Sequence, residues 1–398
     1  MRLKIATRPS NVTESITLAI SAQAAALRAL GHDVISLAAG EPDFEPVDAV
    51  RCAASAFLER RDGRYTATSG THEARDAIAR FAAASCGLDV KPENVLVTAG
   101  TKPAIHIALL TLLEPGDEVL VLAPYWVSYP DIVHLAGGVA RILVGDAARG
   151  FAPDFAAVER ALTPPRRRAL GINSPNTPTG RILTAEELAT LHLLARKHEV
   201  TILSDEIYAS VCTPDLERAP SPADHDIGLE QTLVFDGLSK SHAIPGWRLG
   251  WMLGPRDFVA AAGRLQSHLL GNASSIAQAA AACAFTDETR ASLRRMVTEI
   301  SARRELFVQA TRELRGFSLA VPEGAFYAFP NVQALQDRLG INDEDLASRL
   351  LREASVAIVP GSAFGVPGHL RFSLTRDRAT IDEAVRRLRV WIDENLPA

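Results

Sequence analysis

The sequence predicts an α/β fold: a large domain built on a mostly parallel sheet, with a smaller α+β domain beside it. Three observations carry this expectation. Apolar runs of strand length alternate with amphipathic helical stretches between residues 95 and 240, the pattern of repeated βαβ units. Glycine, proline and polar residues cluster where these runs end, as in T-A-G-T-K-P at 98–103 and S-P-N-T-P-T-G at 174–180. Open α/β sheets bind ligands at such strand ends. Finally, 398 residues are more than one hydrophobic core usually holds, so two packed domains are expected. The large domain should span about 40–285, and the small one 1–39 plus 286–398.

Composition narrows the class. Hydrophobic residues make up 47% and charged residues 22%, an ordinary globular balance. A net charge of −5 gives no basic field for nucleic acid. Cys52, Cys86, Cys212 and Cys283 are scattered without a C-x-x-C pair. They offer no metal or disulfide framework and suit a reducing cytoplasm. No apolar run reaches the roughly 18 residues of a membrane span. Arg2, Lys4 and Arg8 are followed by a stretch that Glu14 and Gln23 interrupt, which makes a poor signal peptide.

In chain order, Ile16 to Leu30 reads as one helix ended by Gly31. V-I-S-L-A-A-G-E-P-D-F (34–44) is a short strand running into Gly40, where the backbone can approach a ligand or simply turn. Tyr65 lies in a polar loop before an amphipathic helix from Glu73 to Ala84; alone it would be half-buried packing. Residues 95–110 give strand, tight turn and helix, with Pro103 suited to a first helical position. Free N–H groups at Gly100, Thr101 and Lys102 would face an anion. The G-x4-G-K-[ST] phosphate loop is absent. Glu118 to Ala123 is the next strand, leading into P-Y-W-V-S-Y and Trp126.

A-L-G-I-N-S-P-N-T-P-T-G (169–180) is a strand entering a proline-rich turn. After a helix from Ala185 to His198, V-T-I-L-S-D-E-I-Y (200–208) puts Asp205 at the end of an apolar strand. A carboxylate there either caps a turn or pairs with a buried cation. Leu233 to Phe235 ends another strand, and the turn after it carries Lys240, with Arg248 following a Pro245-Gly246 turn. A lysine at the mouth of an apolar sheet can lose its proton, because burial and a nearby cation both lower its pKa. The free amine can then form a Schiff base with an aldehyde. Arg248 could hold a phosphate beside it. The chain turns helical and charged from about Arg290. P-E-G-A-F-Y-A-F-P (322–330) and V-A-I-V-P-G-S-A-F-G (356–365) then read as strands. Arg371, on a short strand, needs an anion if it points inward: a substrate or an inter-strand carboxylate.

The segment S-K-S-H-A-I-P-G-W-R-L-G-W (239–251) resembles the pyridoxal-phosphate lysine segment of fold-type I, class I/II aminotransferases, in particular those of aspartate/prephenate aminotransferase type. The resemblance runs in order from about residue 30 to the C-terminus. It implies that Lys240 holds the cofactor and moves the substrate proton, while Arg248 binds the cofactor phosphate. G-E-P-D-F sets Gly40 against the substrate carboxylate. The pattern Y-x4-G-x2-E-x-R implies that Tyr65 reaches across a dimer interface to the neighbour's phosphate. Gly100, Thr101 and Lys102 become the phosphate cradle, and Trp126 stacks on the pyridine. D-E-I-Y implies Asp205 on the ring nitrogen and Tyr208 on the ring oxygen. Ser239 stands close to where some relatives, at the position of Gly237, carry a phosphate-binding serine. Arg371 becomes the clamp on the substrate α-carboxylate.

One departure stands out. The residue before P-T-G is usually Asn, which donates to the phenolic oxygen and helps hold the substrate carboxylate; here it is Thr177, and Asn176 is one place too early. A hydroxyl lacks the reach and second function of an amide. The implied function is a homodimeric, PLP-dependent aminotransferase passing an amino group from an L-amino acid to a 2-oxo acid by a ping-pong mechanism. Thr177 leaves open a PLP enzyme of this fold doing elimination, cyclisation or oxidation. A non-enzymatic PLP-binding sensor is the reading from another class, and no DNA-binding segment is expected ahead of the fold. Lys102 either faces the distal carboxylate of aspartate or glutamate, or points to solvent. S-K-S-H-A also resembles relatives acting on arginine or neutral amino acids.

Overall fold

The computed structural model describes residues 3–396. Its strands are β1 (Ile35–Ser36), β2 (Val95–Thr98), β3 (Glu118–Ala123), β4 (Val139–Val144), β5 (Arg167–Asn173), β6 (Thr201–Asp205), β7 (Thr232–Gly237), β8 (Gly250–Leu253), β9 (Tyr327–Ala328), β10 (Val356–Ala357), β11 (Val359–Pro360) and β12 (Leu370–Ser373).

Seven of them form one sheet in the order β2-β8-β7-β6-β5-β3-β4. Pairings from β4 through β7 are parallel. β8 runs antiparallel to both β7 and β2. The reason is the short β7–β8 connection, one helical turn (Leu238–Ser241) and a 3-10 turn (Pro245–Trp247). A parallel return needs a full crossover, so the chain comes back reversed. Helices cover both faces, which is why the strands read as continuous apolar runs. Val97, Val234 and Trp251 pack on one side with Ile78; Leu96, Leu203, Phe235 and Met252 pack on the other with Ile107.

The remaining strands form two small sheets. β11-β12-β9 is antiparallel, and β1 pairs in parallel with β10, so the N-terminal segment joins the C-terminal region. Phe307 and Phe372, with ring centroids 4.9 Å apart, sit in the core beside them. Segments 322–330 and 356–365, read from sequence as strands, form only two-residue ladders. Pro360 has no N–H to extend a ladder, and the chain bends at once into the 3-10 turn Gly361–Phe364.

Helix boundaries follow local chemistry. Helix His72–Cys86 opens on Thr71, whose hydroxyl accepts from Ala74 N–H, and closes on left-handed Gly87. Helix Thr101–Leu112 begins two residues before Pro103, so the proline is its third residue rather than its first. The first turn has no intrahelical use for that N–H, and the proline is accommodated there. Because β2, β3, β5, β6 and β7 point one way, Thr98, Ala123, Asn173, Asp205 and Gly237 all end at one edge of the sheet. No helix among the described residues is long and apolar enough to cross a membrane.

Candidate active site

A cavity of about 420 Å³ opens at that edge and brings Lys240, Asp205, Arg248 and Arg371 onto one lining. A wider groove of about 720 Å³ lies elsewhere, against Phe81, Phe285 and Leu293. Its arginines already have carboxylate partners, as in Arg290 with Asp287 and Arg218 with Asp224. It holds none of the residues singled out from sequence.

Lys240 stands on the single helical turn after β7, and its Nζ donates to the Gly40 carbonyl at 2.6 Å. Burial pushes its amine down to about 8; Glu41 opposes this, while Arg371 and Arg248 add to it. Asp205 ends β6 and is 6% exposed. Burial pushes its carboxyl up to about 6, opposed by hydrogen bonds from Tyr129 Oη (2.5 Å) and Ile207 N–H (3.2 Å). The site therefore pairs a weakened ammonium with a weakened carboxylate, and either one can exchange a proton near neutrality.

At one end the groups are cationic. Gly100 N–H is not free as expected: it donates to Thr98 O at 2.8 Å, because the turn closes on itself. That leaves the N–H groups of Thr101 and Lys102, the first two of their helix, to face an anion. Gly100 matters in another way. At φ 105° it is in the left-handed half of backbone space, and a Cβ on it would lie 2.6 Å from Arg248 Nη2. Arg248 Nη1 donates to Pro245 O at 3.0 Å. Lys102 lines the cavity, with its Nζ 4.8 Å from the Trp126 ring centre. Desolvation, then Arg248, lowers its pKa. Ser239 is buried on the same lining.

Across the cavity, Arg371 is 3% exposed. Its Nη2 donates to Ala38 O, and its guanidinium lies 4.8 Å over Tyr327 and 5.0 Å over Phe364. Its Nε has no partner. Among the described residues no carboxylate reaches ion-pair distance of Arg371, so the inter-strand pair left open by the sequence is not formed. A buried cation without a counter-ion is costly, and an incoming carboxylate would offset that cost.

Thr177 is buried on the lining, 3% exposed. Neither neighbouring amide replaces it. Asn173 donates to Asp205 O (3.0 Å) and accepts from Thr177 N–H (2.8 Å); Asn176 donates to Pro124 O (3.1 Å). Both are committed to holding the turn. Tyr208 Oη lies 2.8 Å from Tyr327 Oη, and burial raises Tyr208 well above the ordinary phenol range. Trp126 meets Tyr129 edge-on at 5.3 Å. Tyr65 is 96% exposed and does not line this chain's cavity.

Sequence reasoning missed Tyr129, Tyr327 and Asn173. Tyr129 and Tyr327 stood inside strings already of interest, three residues after Trp126 and within P-E-G-A-F-Y. No periodicity shows that their hydroxyls meet Asp205 and Tyr208. The donor set fits pyridoxal phosphate: Arg248, with no carboxylate of the described residues at ion-pair distance, beside a helix N-terminus for a phosphate, buried Asp205 for a ring nitrogen, and Lys240 on the same lining.

The family profile for aminotransferase class I and II matches residues 32–388. An aspartate aminotransferase of Geobacillus stearothermophilus is 38% identical, over 98% of this chain and 99% of that protein. A probable aspartate/prephenate aminotransferase of Aquifex aeolicus is 34% identical, over 99% of this chain and 100% of its own length. The solved aspartate aminotransferase from Thermus thermophilus with maleate superposes with a TM-score of 0.92 at 36% identity, covering 98% of this chain and 100% of that one.

Asp205 gives a test in the cofactor-free protein. Its folded-state pKa, about 6, exceeds the ordinary 3.8, so the folded state binds more protons between those values. Its contribution to stability is full below about pH 4 and is lost as pH rises through about 6. Asp205→Asn should therefore be more stable than the parent at pH 7, on the order of 1–3 kcal/mol, with the difference vanishing near pH 4. Urea unfolding across pH measures this, and equal stabilities at pH 7 would contradict it.

Proposed function

The chain belongs to the class I and II aminotransferases, and from that premise we propose which residues perform the transfer and which donor they favour. The protein is a PLP-dependent aminotransferase, passing an amino group from an amino acid to a 2-oxo acid in two half-reactions at one site. When bound, pyridoxal 5'-phosphate supplies the aldehyde that takes up the amino group and a ring that withdraws electrons from the substrate Cα.

In this reading Arg248 and the N–H groups of Thr101 and Lys102 bind the phosphate. Ser239 adds a hydroxyl, and Gly100 leaves the space that Arg248 fills. Asp205 holds the proton on the ring nitrogen, and Tyr129 steadies the carboxylate. Trp126, on the cavity lining, would lie against the ring and exclude water from it. Tyr208 and Thr177 donate to the ring oxygen. Arg371 grips the substrate α-carboxylate in a bidentate pair beside the Gly40 backbone. Lys240 Nζ, whose amine lies near 8, takes the proton from Cα and returns it on the far side of the transfer. The domain division is placed at 40–285 against 1–39 with 286–398, supported by the seven-stranded sheet lying within the first span. Four free cysteines suit a cytoplasmic setting.

The donor we assign is aspartate or glutamate, and Lys102 is the observation that carries it. Its ammonium faces the cavity over Trp126, with no carboxylate of the described residues at ion-pair distance. A cation at a helix N-terminus is intrinsically unfavourable, and a second substrate carboxylate would offset that. The names of the similar proteins, aspartate and aspartate/prephenate aminotransferases, support the same reading.

Two measurements test these assignments. Lys102→Ala should lower kcat/KM for aspartate by about 10-fold or more while alanine turnover barely changes. Equal losses, or a parent with no aspartate activity, would remove the donor assignment. The second concerns assembly. Tyr65, fully out in solvent in one chain, is assigned to the phosphate of a neighbouring subunit across an isologous dimer. Sedimentation should show a dimer, and an active, PLP-saturated monomer would take Tyr65 off the site.

A further inference from the structure

Tyr327 is a residue to which neither the sequence nor the reading above gives a role. It is 3% exposed, lies on β9 and lines the cavity. Its surroundings fix it from several sides. The Gly40 backbone leaves so little room that a Cβ there would lie 1.8 Å from the Tyr327 hydroxyl. Arg371 lies over one face of its ring at 4.8 Å, and the Phe326 ring lies 5.0 Å away. Its hydroxyl has one hydrogen-bond partner among the described residues, the Tyr208 hydroxyl at 2.8 Å.

Two phenols sharing one hydrogen bond hold two protons, and only one lies between them. The other is turned outward, and which phenol carries it depends on what is offered to the pair. Tyr327 is pinned and has no second acceptor. Tyr208 lies beside Thr177 and faces the cavity. Either oxygen can be the donor in this pair, and the arrangement that frees the Tyr208 proton for the cavity has Tyr327 donating to Tyr208. An oxygen that accepts a hydrogen bond also becomes a stronger donor. This occurs where Thr177 leaves the site short of an amide.

We propose that Tyr327 is a positioning residue: its hydroxyl donates to Tyr208 and aims the Tyr208 proton at the cofactor's ring oxygen, making up for the amide that Thr177 lacks. This rests on the role assigned to Tyr208 above. In this proposal Tyr327 acts on the ring oxygen only through Tyr208.

The bound cofactor's visible absorbance reports this without turnover. A donor to the ring oxygen stabilises its anion and lowers the pH at which the bound chromophore loses its proton. In the holoenzyme, Tyr327→Phe keeps the ring that Phe326 and Arg371 pack against. It should move the midpoint of the absorbance titration upward by about half a pH unit or more. Tyr208→Phe should move it upward at least as far. Adding Tyr327→Phe to Tyr208→Phe should then change nothing further, the non-additivity expected of two groups in series. Thr177→Asn in the Tyr327→Phe background should bring the midpoint back down. An unmoved midpoint in Tyr327→Phe overturns the proposal, as does a shift as large with Tyr208→Phe present as without it. A lower Tm or a higher amino-acid KM with no change in midpoint would mark a structural or substrate-binding role, and also overturns it. A parent with a normal cofactor band and an unmoved Tyr327→Phe leaves the proposed function standing. A parent that takes up no PLP overturns both.

Discussion

Four cations converge on one cavity that has a single lining carboxylate. Lys102, Lys240, Arg248 and Arg371 face it, and Asp205 is the only acid among its described lining residues. Gathering like charges at a half-buried site costs stability, and burial raises the cost. The structure does not neutralise them internally. Arg371 makes do with a carbonyl and two aromatic faces, and its Nε is left unpaired. Lys240 meets a carbonyl in place of a counter-ion. The missing charges are those a phosphate and one or two substrate carboxylates would bring. The same arrangement that costs stability suits a phosphate-bearing cofactor and a carboxylate-bearing substrate.

A rigid scaffold keeps these charges apart yet close. Strand ends cannot retreat from one another once the sheet is packed on both faces, and Asp205 and Lys240 inherit that rigidity from β6 and from the turn after β7. Arg371 comes from a different sheet, and Gly40 from the segment following β1, which is tied to β10. The cavity exists because those elements are brought to the same edge. Close approach decides residue choice there: a side chain at Gly40 would strike Tyr327, and one at Gly100 would strike Arg248. Polar groups back the cavity residues: Tyr129 donates to Asp205, and Tyr327 shares a hydrogen bond with Tyr208.

Much of this was legible in the sequence, for a physical reason. Parallel strands buried on both faces read as apolar runs, and their ends read as Gly/Pro turns, so Asp205, Lys240 and Thr101 could be placed before the fold was seen. The reversed β8 was not legible, because it depends on the length of a connection rather than on any strand's own pattern. Pro103 misplaced a helix start because a first-turn position was narrowed to the first residue. Gly100 was assigned a free N–H that its own turn consumes. Tyr327 and Tyr129 stayed hidden because an inward hydroxyl depends on what lies opposite in space. Thr177 was visible as a departure, but its neighbourhood of committed amides and paired phenols was not.

The central claim is that Lys240 is the amine that carries the cofactor, held in that role by burial among cations. Reductive trapping of the PLP-loaded enzyme with borohydride, followed by digestion and mass spectrometry, tests it most directly. The account predicts one stable phosphopyridoxyl label, on the peptide containing Lys240, and none in Lys240→Ala. A label on Lys102 or on a surface lysine, or an unchanged cofactor band in Lys240→Ala, would contradict it.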